Sequence, residues 1–99
     1  MRVNINSVHF KTDKKLDNFI TEKLEKIRSL HDGIIGSEVT LKLENGEHYE
    51  NKIAEIKLLI PGNDIFASKQ NRSFEEAFDG ALEALKKQLN KRKEKQRGE

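Results

Sequence analysis

Two parts of the chain carry hydrophobic residues at every third or fourth position, the spacing of one face of an α-helix. The first series consists of Leu16, Phe19, Ile20, Leu24, Ile27 and Leu30. The second consists of Phe74, Ala77, Phe78, Ala81, Leu82, Leu85 and Leu89. Each series predicts an amphipathic helix whose apolar face packs on the rest of the protein.

Polar residues at the start of each series predict how the helices begin. Thr12 is placed to cap the first helix, and Asp13 follows where the helix dipole favours a negative charge. The second helix opens with a capping box, in which Ser73 accepts from an amide and Glu76 reaches back. Gly80 lies inside this helix at a cost of about 1 kcal/mol relative to alanine, so we expect close packing against a sheet there.

The remaining hydrophobic residues alternate with polar ones, as in half-buried strands. An opening strand contains Val3, Ile5 and Phe10, and a second contains Val39, Leu41 and Leu43. A third strand, residues 53–60, places Ala54, Ile56, Leu58 and Ile60 on one side, and a short fourth runs from Ile65 to Ser68. Turn signals at Asn45-Gly46 and at Pro61-Gly62-Asn63-Asp64 separate these strands.

The predicted order of elements is therefore β-α-β-β-β-α. It suits an α+β fold in which one four-stranded sheet carries both helices on one face and leaves the other face polar. This layering resembles double-stranded-RNA-binding domains, although their strands and helices follow a different order. The 99 residues, 1–99, correspond to a single domain.

Charge is distributed unevenly along this domain. Residues 1–85 contain 12 basic and 15 acidic side chains, whereas residues 86–99 contain seven basic and two acidic ones. The formal net charge of +2 thus combines a slightly acidic body with a strongly basic end. Such an asymmetry favours either solubility or attraction to a polyanion.

The basic end continues the helical spacing of the second helix. One row consists of Lys86, Asn90, Lys93 and Arg97, a neighbouring row consists of Lys87, Lys91 and Lys95, and Arg92 continues the apolar face. We predict a basic helical extension over about 86–95 and a frayed end over 96–99. From spacing alone, three interpretations stay open: a nucleic-acid-binding surface, a solvated tail, or a surface for an acidic protein or a membrane.

The first helix adds basic residues outside its apolar face. Lys23 and Lys26 lie there with Arg28 nearby, interleaved with Glu22 and Glu25. Taken alone, this pattern is more typical of a salt-bridged solvent face than of a ligand surface. It gains importance if the two helices lie side by side.

Other chemistry has little support. His9, His31 and His48 are scattered without a catalytic or metal-ligand spacing, there is no Gly-rich phosphate loop, and there are no cysteines. The sequence has neither a signal peptide nor a run long enough to span a membrane. We therefore expect a cytoplasmic, non-enzymatic protein without a metal, cofactor or small-molecule substrate.

The stretch "FASKQNRSFEEAFDGALEALKKQLNKRKEK" resembles the last strand and helix of the ribosome hibernation promoting factor family, which includes the ribosome-associated inhibitor. The shared features are Ala67-Ser68, Asp79-Gly80, Gln88-Leu89 and the dense Lys/Arg ending. The segments "VNINS" and "LDNFITEKLEKI" resemble the family as well. The family's Asp-Met-Tyr is replaced by Ser73-Phe74-Glu75, so no contact of that tyrosine is carried over.

The resemblance implies a factor that binds the small (30S) subunit or the 70S ribosome when growth slows. It would occupy the mRNA and tRNA channel, contact 16S ribosomal RNA, inhibit translation and protect idle ribosomes. The matching rRNA-binding residues are Lys23, Lys26, Lys86, Lys87, Lys91, Arg92, Lys93 and Lys95. Because the chain stops at Glu99, it is expected to be a short form without the family's additional dimerising domain, and to be a monomer off the ribosome. The alternative is a module that binds structured RNA generally.

Overall fold

The computed structural model describes residues 2–44 and 51–97, with side chains up to Lys91. The elements are β1 (Arg2–Val8), α1 (Lys14–Ile27), one turn of 3₁₀ helix (Arg28–Leu30), β2 (Gly36–Leu43), β3 (Lys52–Leu59), β4 (Ile65–Asn71) and α2 (Phe74–Arg97). The predicted order β-α-β-β-β-α is confirmed. The predicted Asn45-Gly46 turn lies outside the described residues.

The four strands form one mixed sheet in the order β1-β2-β3-β4. β1 and β2 are parallel, and β2, β3 and β4 are successively antiparallel. A parallel pair needs a crossover connection, which α1 supplies, whereas the antiparallel strands follow one another as a meander. In the register, Val39 lies opposite both Ile5 and Ile56, and Ile56 lies opposite Ala67. This row of apolar side chains crosses the sheet on the face that the helices cover.

Both helices pack on that face and form one hydrophobic core with it. α1 contributes Ile20, Leu24 and Ile27, all at most 1% exposed. On α2 the buried residues run from Ala77 to Leu89. The ring of Phe78 meets that of Phe19 edge to face at 6.1 Å, so aromatic packing joins the two helices directly.

The other face of the sheet is mostly polar and carries ion pairs, although Ile53 and Leu59 of β3 are half-buried on it. Lys42 and Glu55 approach to 3.3 Å on neighbouring strands, and Lys57 lies 3.9 Å from Asp64. Phe66 is an exception, since its side chain lies on this face and is 54% exposed. The predicted layering, with one covered face and one open face, is thus the observed one.

The entry into α1 differs from the prediction. Phe10 is not part of the first strand, and its ring instead stacks at 4.6 Å on that of Phe74, the first residue of α2. The cap of α1 is Asp13 rather than Thr12: its carboxylate accepts the Leu16 amide at 2.8 Å, and its backbone is extended. The helix begins one residue later than predicted because Asp13 both caps the amide and complements the dipole.

β4 is longer than the predicted segment, because it continues through Asn71. Lys69 lies opposite Ala54 on the face that carries α2. An added Cβ at Gly80 would lie only 3.2 Å from the Lys69 side chain, so the glycine allows this lysine stem to pass across the helix. The expected close packing at Gly80 is therefore confirmed. Lys69 occupies a position on β4 where the alternation of apolar and polar residues predicts an apolar side chain.

The cap of α2 offers a test of how the basic helix is held. Ser73 Oγ accepts the Glu76 amide at 3.1 Å, as the sequence predicts. We expect Ser73→Ala to lower the free energy of unfolding by about 1 kcal/mol, since one amide loses its partner. Urea unfolding followed by circular dichroism measures this, and Ser73→Asp serves as the control that keeps the cap. Equal stability of the alanine variant and the wild type would contradict the assignment.

Candidate nucleic-acid interface

α2 extends beyond the hydrophobic core. Leu85 and Leu89 are the last residues of its apolar face and are at most 1% exposed. The helix continues to Arg97, a further ~12 Å at 1.5 Å per residue. The described chain is correspondingly elongated, with extents of 49 × 24 × 19 Å. The predicted basic extension is therefore helical, and it projects from the end of the domain.

The end of this helix was predicted to fray from Gln96. The backbone of Gln96 and Arg97 is helical, and no glycine or proline interrupts the helix after Gly80. Straight-chain residues favour the helix, so its regular backbone reaches the last residue before Gly98. Fraying of these positions stays a prediction, and residues 98 and 99 lie outside the described part of the chain.

Three predicted binding residues with described side chains lie on α2. Lys87 and Lys91 are exposed, one helical turn apart, and line a shallow depression together with Gln88 and Asn90. Lys86 is partly buried, and its ammonium lies 3.9 Å from Glu83. Within residues 2–44 and 51–91, Lys87 and Lys91 have no ion-pair partner within 4 Å, so both positive charges are available to a ligand.

Gln88 fixes this part of α2 to the edge of the sheet. Its side-chain amide donates to the Phe66 carbonyl of β4 at 3.0 Å. The bond satisfies a backbone acceptor on an edge strand and holds the helix where the core ends. Lys87 and Lys91, on either side of Gln88 in the sequence, thereby project from an anchored helix rather than from a loose tail.

Lys23 connects α1 to α2. Its ammonium lies 3.5 Å from an Asp79 carboxylate oxygen and 5.3 Å from the centre of the Phe19 ring. A carboxylate and an aromatic face both attract a cation, so they orient Lys23 between the helices. The side chain remains 40% exposed. Lys23 therefore lies at the predicted surface, but one side of its charge is already paired.

The two helices run in the same direction. α1 follows β1 and α2 follows β4, and these two strands point the same way. Because each helix runs back along the strand that precedes it, the two helices are parallel to each other. Phe10, just ahead of α1, meets Phe74 at the start of α2, and Lys23 meets Asp79 further along both helices. Lys26 comes almost one turn after Lys23, is exposed and is without an ion-pair partner within 4 Å among the described side chains. It therefore lies towards the end from which α2 projects.

Three predicted residues stay outside this description. The backbones of Arg92, Lys93 and Lys95 belong to α2, but their side chains lie outside the described residues. Their role in RNA binding stays a prediction. The structure thus places Lys23 and Lys26 on a helix beside the one that carries Lys86, Lys87 and Lys91.

The sequence alone did not predict which residues Lys23 and Gln88 contact. The spacing of Glu83 and Lys86 signals a helical ion pair, but nothing in the sequence pairs Lys23 with Asp79 or Gln88 with Phe66. Both of these contacts join residues that only the packing of α2 brings together.

Other kinds of site find no candidate in the described residues. No three His, Cys, Asp or Glu side chains there are arranged to hold a metal ion. His31 has a structural contact, since its Nδ1 accepts the Gly33 amide at 2.9 Å. Neither helix of the described chain is long and apolar enough to cross a membrane. His48 lies outside the described residues.

Comparison with known proteins identifies relatives over almost the whole chain. The family described as sigma 54 modulation protein / S30EA ribosomal protein matches residues 3–97. The ribosome hibernation promoting factor of Pseudomonas putida is 33% identical over 96 residues, which cover 97% of this chain and 90% of that protein. The protein of the same name from Escherichia coli K12 is 30% identical over 95 residues, 96% of each chain.

Solved structures show the same fold. A ribosomal subunit interface protein from Coxiella burnetii superposes with a TM-score of 0.83 at 20% identity, covering 94% of this chain and 98% of that one. The N-terminal domain of Thermus thermophilus Protein Y gives 0.78 at 20% identity, covering 92% and 98%. The family match, the two relatives and the shared fold agree with the resemblance in the sequence: the chain belongs to the ribosome hibernation promoting factor family.

Proposed function

We propose that this protein is a ribosome hibernation factor. It binds the small ribosomal subunit in the mRNA and tRNA channel, contacts 16S ribosomal RNA, inhibits translation and stabilises idle ribosomes, without catalysing a reaction. It acts in the cytoplasm and is a monomer when off the ribosome. The observation that carries the proposal is the projection of the basic helix α2 beyond the core, in a chain whose curated relatives are named ribosome hibernation promoting factors.

Electrostatics explains why the exposed lysines of the two helices suit ribosomal RNA. Lys26, Lys87 and Lys91 are exposed and lack acidic partners among the described side chains, so binding a phosphate breaks no ion pair. Each lysine that neutralises a phosphate releases condensed counterions, and this gain in entropy drives association. The core and Gln88 anchor α2 and hold the backbone of Lys87 and Lys91 in place, so less backbone entropy is lost on binding.

Salt dependence is the first expected consequence. With six to eight phosphate contacts, the association constant for small subunits should fall roughly a thousandfold between about 50 and 200 mM monovalent salt. Binding is measured by fluorescence anisotropy of the labelled protein at constant magnesium, which keeps the subunits intact. An affinity that hardly changes over this range would contradict a phosphate-dominated interface.

A competition assay separates ribosome binding from general RNA binding. Labelled protein is bound to small subunits, and unlabelled duplex RNA of arbitrary sequence is added as a competitor. We expect displacement only at duplex concentrations far above those of unlabelled small subunits, because the ribosomal site matches the shape of the domain as well as its charge. Equal competition by duplex RNA and by small subunits would favour a general structured-RNA-binding module instead.

A further inference from the structure

Two residues that fit their own elements poorly meet on one side of α2. Gly80 is a poor helix former inside the helix, and Lys69 occupies a helix-facing position on β4, opposite Ala54. An added Cβ at Gly80 would lie 3.2 Å from Lys69 Cγ and 3.9 Å from its Cδ, so the lysine stem runs beside the glycine. Departures from local preference that coincide in space are typical of functional sites.

The charge of Lys69 reaches solvent beside this glycine. Its ammonium lies two bonds beyond Cδ, and the residue is exposed. Like Lys87 and Lys91, Lys69 has no ion-pair partner within 4 Å among the side chains that the structure describes. A phosphate can therefore bind this ammonium without breaking an ion pair.

Gly80 lies at the head of the row that carries Lys87 and Lys91. These lysines come seven and eleven residues after it, close to two and three full turns of a helix. Gly80, Lys87 and Lys91 therefore lie almost in line, along the flank of α2 that borders β4. At 1.5 Å per residue the line is ~16 Å long. A nucleic-acid strand presents several phosphates over such a length.

We propose that Lys69 is a further phosphate-binding residue of the interface, reached along a path that Gly80 leaves open across α2. The inference rests on the proposed function. It extends the row of Lys87 and Lys91 back along the body of the domain, so that ribosomal RNA lying on this flank contacts β4 as well as α2. The additional phosphate contact releases counterions and so strengthens binding.

A lysine at this position of β4 could also serve the sheet alone. β4 is an edge strand, and an inward-pointing charge discourages association with the edge of another sheet. Any helix-facing position of β4 would suit that role, whereas Lys69 meets α2 on the line of Lys87 and Lys91. A neutral side chain of similar shape separates the two roles, because it changes self-association in one case and RNA affinity in the other.

The test replaces Lys69 by glutamine, which keeps most of the stem and removes the charge. Lys15→Gln is the matched control, because Lys15 is exposed at the start of α1 and its loss changes the net charge equally. Lys69→Arg keeps a positive charge at the site. Affinities for small subunits are measured by fluorescence anisotropy at about 50 and 200 mM monovalent salt. Urea unfolding of each variant confirms that it is folded.

We expect Lys69→Gln to bind about tenfold more weakly than Lys15→Gln at the lower salt concentration and about threefold more weakly at the higher one. The difference narrows because one lost phosphate contact lowers the slope of the salt dependence by about one unit. Lys69→Arg should bind within about twofold of the wild type, since its guanidinium can still neutralise the phosphate.

Equal affinities of Lys69→Gln and Lys15→Gln would overturn the inference and leave the proposed function standing. Self-association of Lys69→Gln in analytical ultracentrifugation would then assign Lys69 to protection of the sheet edge. A loss of affinity that does not narrow with salt would also overturn the inference, because it would not come from a phosphate contact. A wild type that fails to bind small subunits would overturn the proposed function and this inference together.

Discussion

Reversing three charges on α2 should greatly lower the affinity for the small subunit. In the variant Lys86→Glu, Lys87→Glu and Lys91→Glu, three attractions to phosphate become repulsions at the point where the helix leaves the core. We expect the affinity to fall by about a hundredfold or more. Removing one partner of a charge pair commonly costs more than about 1 kcal/mol of binding free energy, and repulsion between the new glutamates and the phosphates adds to this loss. The salt dependence should weaken as well, by about one unit of slope for each lost phosphate contact.

The measurement is a titration of small subunits into the labelled variant at several salt concentrations. A matched control changes Lys11, Lys14 and Lys15 to glutamate, which alters the net charge equally at the opposite ends of the helices. These residues are exposed, and acids in the first turn suit the dipole of α1, so the control should stay folded. If both triple variants bind alike, net charge rather than the surface of α2 determines binding, and the interface is wrong.

Phe78→Ala should cause the largest loss of stability. Phe78 is fully buried and packs its ring on Phe19, so it connects α2 to α1 as well as to the sheet. Replacing a buried phenylalanine by alanine leaves a cavity and costs about 3–5 kcal/mol. Since domains of this size are commonly stable by only about 5–15 kcal/mol, this is a large fraction of the total. Urea unfolding, followed by circular dichroism, gives the difference in free energy.

Phe66 provides a control with the same substitution. Its ring is 54% exposed on the open face of the sheet, so Phe66→Ala removes little buried surface and should cost less than about 1 kcal/mol. Phe78→Leu keeps most of the volume and should cost less than the alanine variant. Similar losses for Phe78→Ala and Phe66→Ala would show that the two helices are not held on the sheet by this packing.

Most of the fold was predictable because its core residues follow simple periods. The spacing of Ile20, Leu24 and Ile27 defines one helix face, and alternation around Val39 and Leu41 defines a strand. The extension of β4 was missed because Lys69 occupies a helix-facing position, where its stem lies beside Gly80. Hydrophobic alternation does not reveal such a strand, since a long lysine stem takes the place of an apolar side chain.

The boundary of α1 was off by one residue for a local reason. Thr12 and Asp13 are both good caps, and the sequence does not say which of them has the extended backbone that a cap requires. The packing of Phe10 on Phe74 helps to fix the path of the chain into α1. The contact between Phe10 and Phe74 therefore helps to decide between Thr12 and Asp13 as the cap, a choice that local sequence preferences leave open.

The sequence predicted which charged residues belong to the candidate interface, but not how they are arranged in space. Helical spacing places Lys87 and Lys91 on one side of α2, and the structure agrees. The pairing of Lys23 with Asp79 depends on the side-by-side packing of α1 and α2, which only the folded chain reveals. This packing makes Lys23 a partly neutralised member of the surface, whereas the sequence presents it as equal to Lys26.

The most direct test of the account is sedimentation of the purified protein with ribosomes and separated subunits through a sucrose gradient. We predict that the protein travels with small subunits and with whole ribosomes at low salt, and that it does not travel with large subunits alone. High salt should release it to the top of the gradient, since the contacts are to phosphates. A protein that remains at the top with every particle, or that travels only with large subunits, would contradict the central claim.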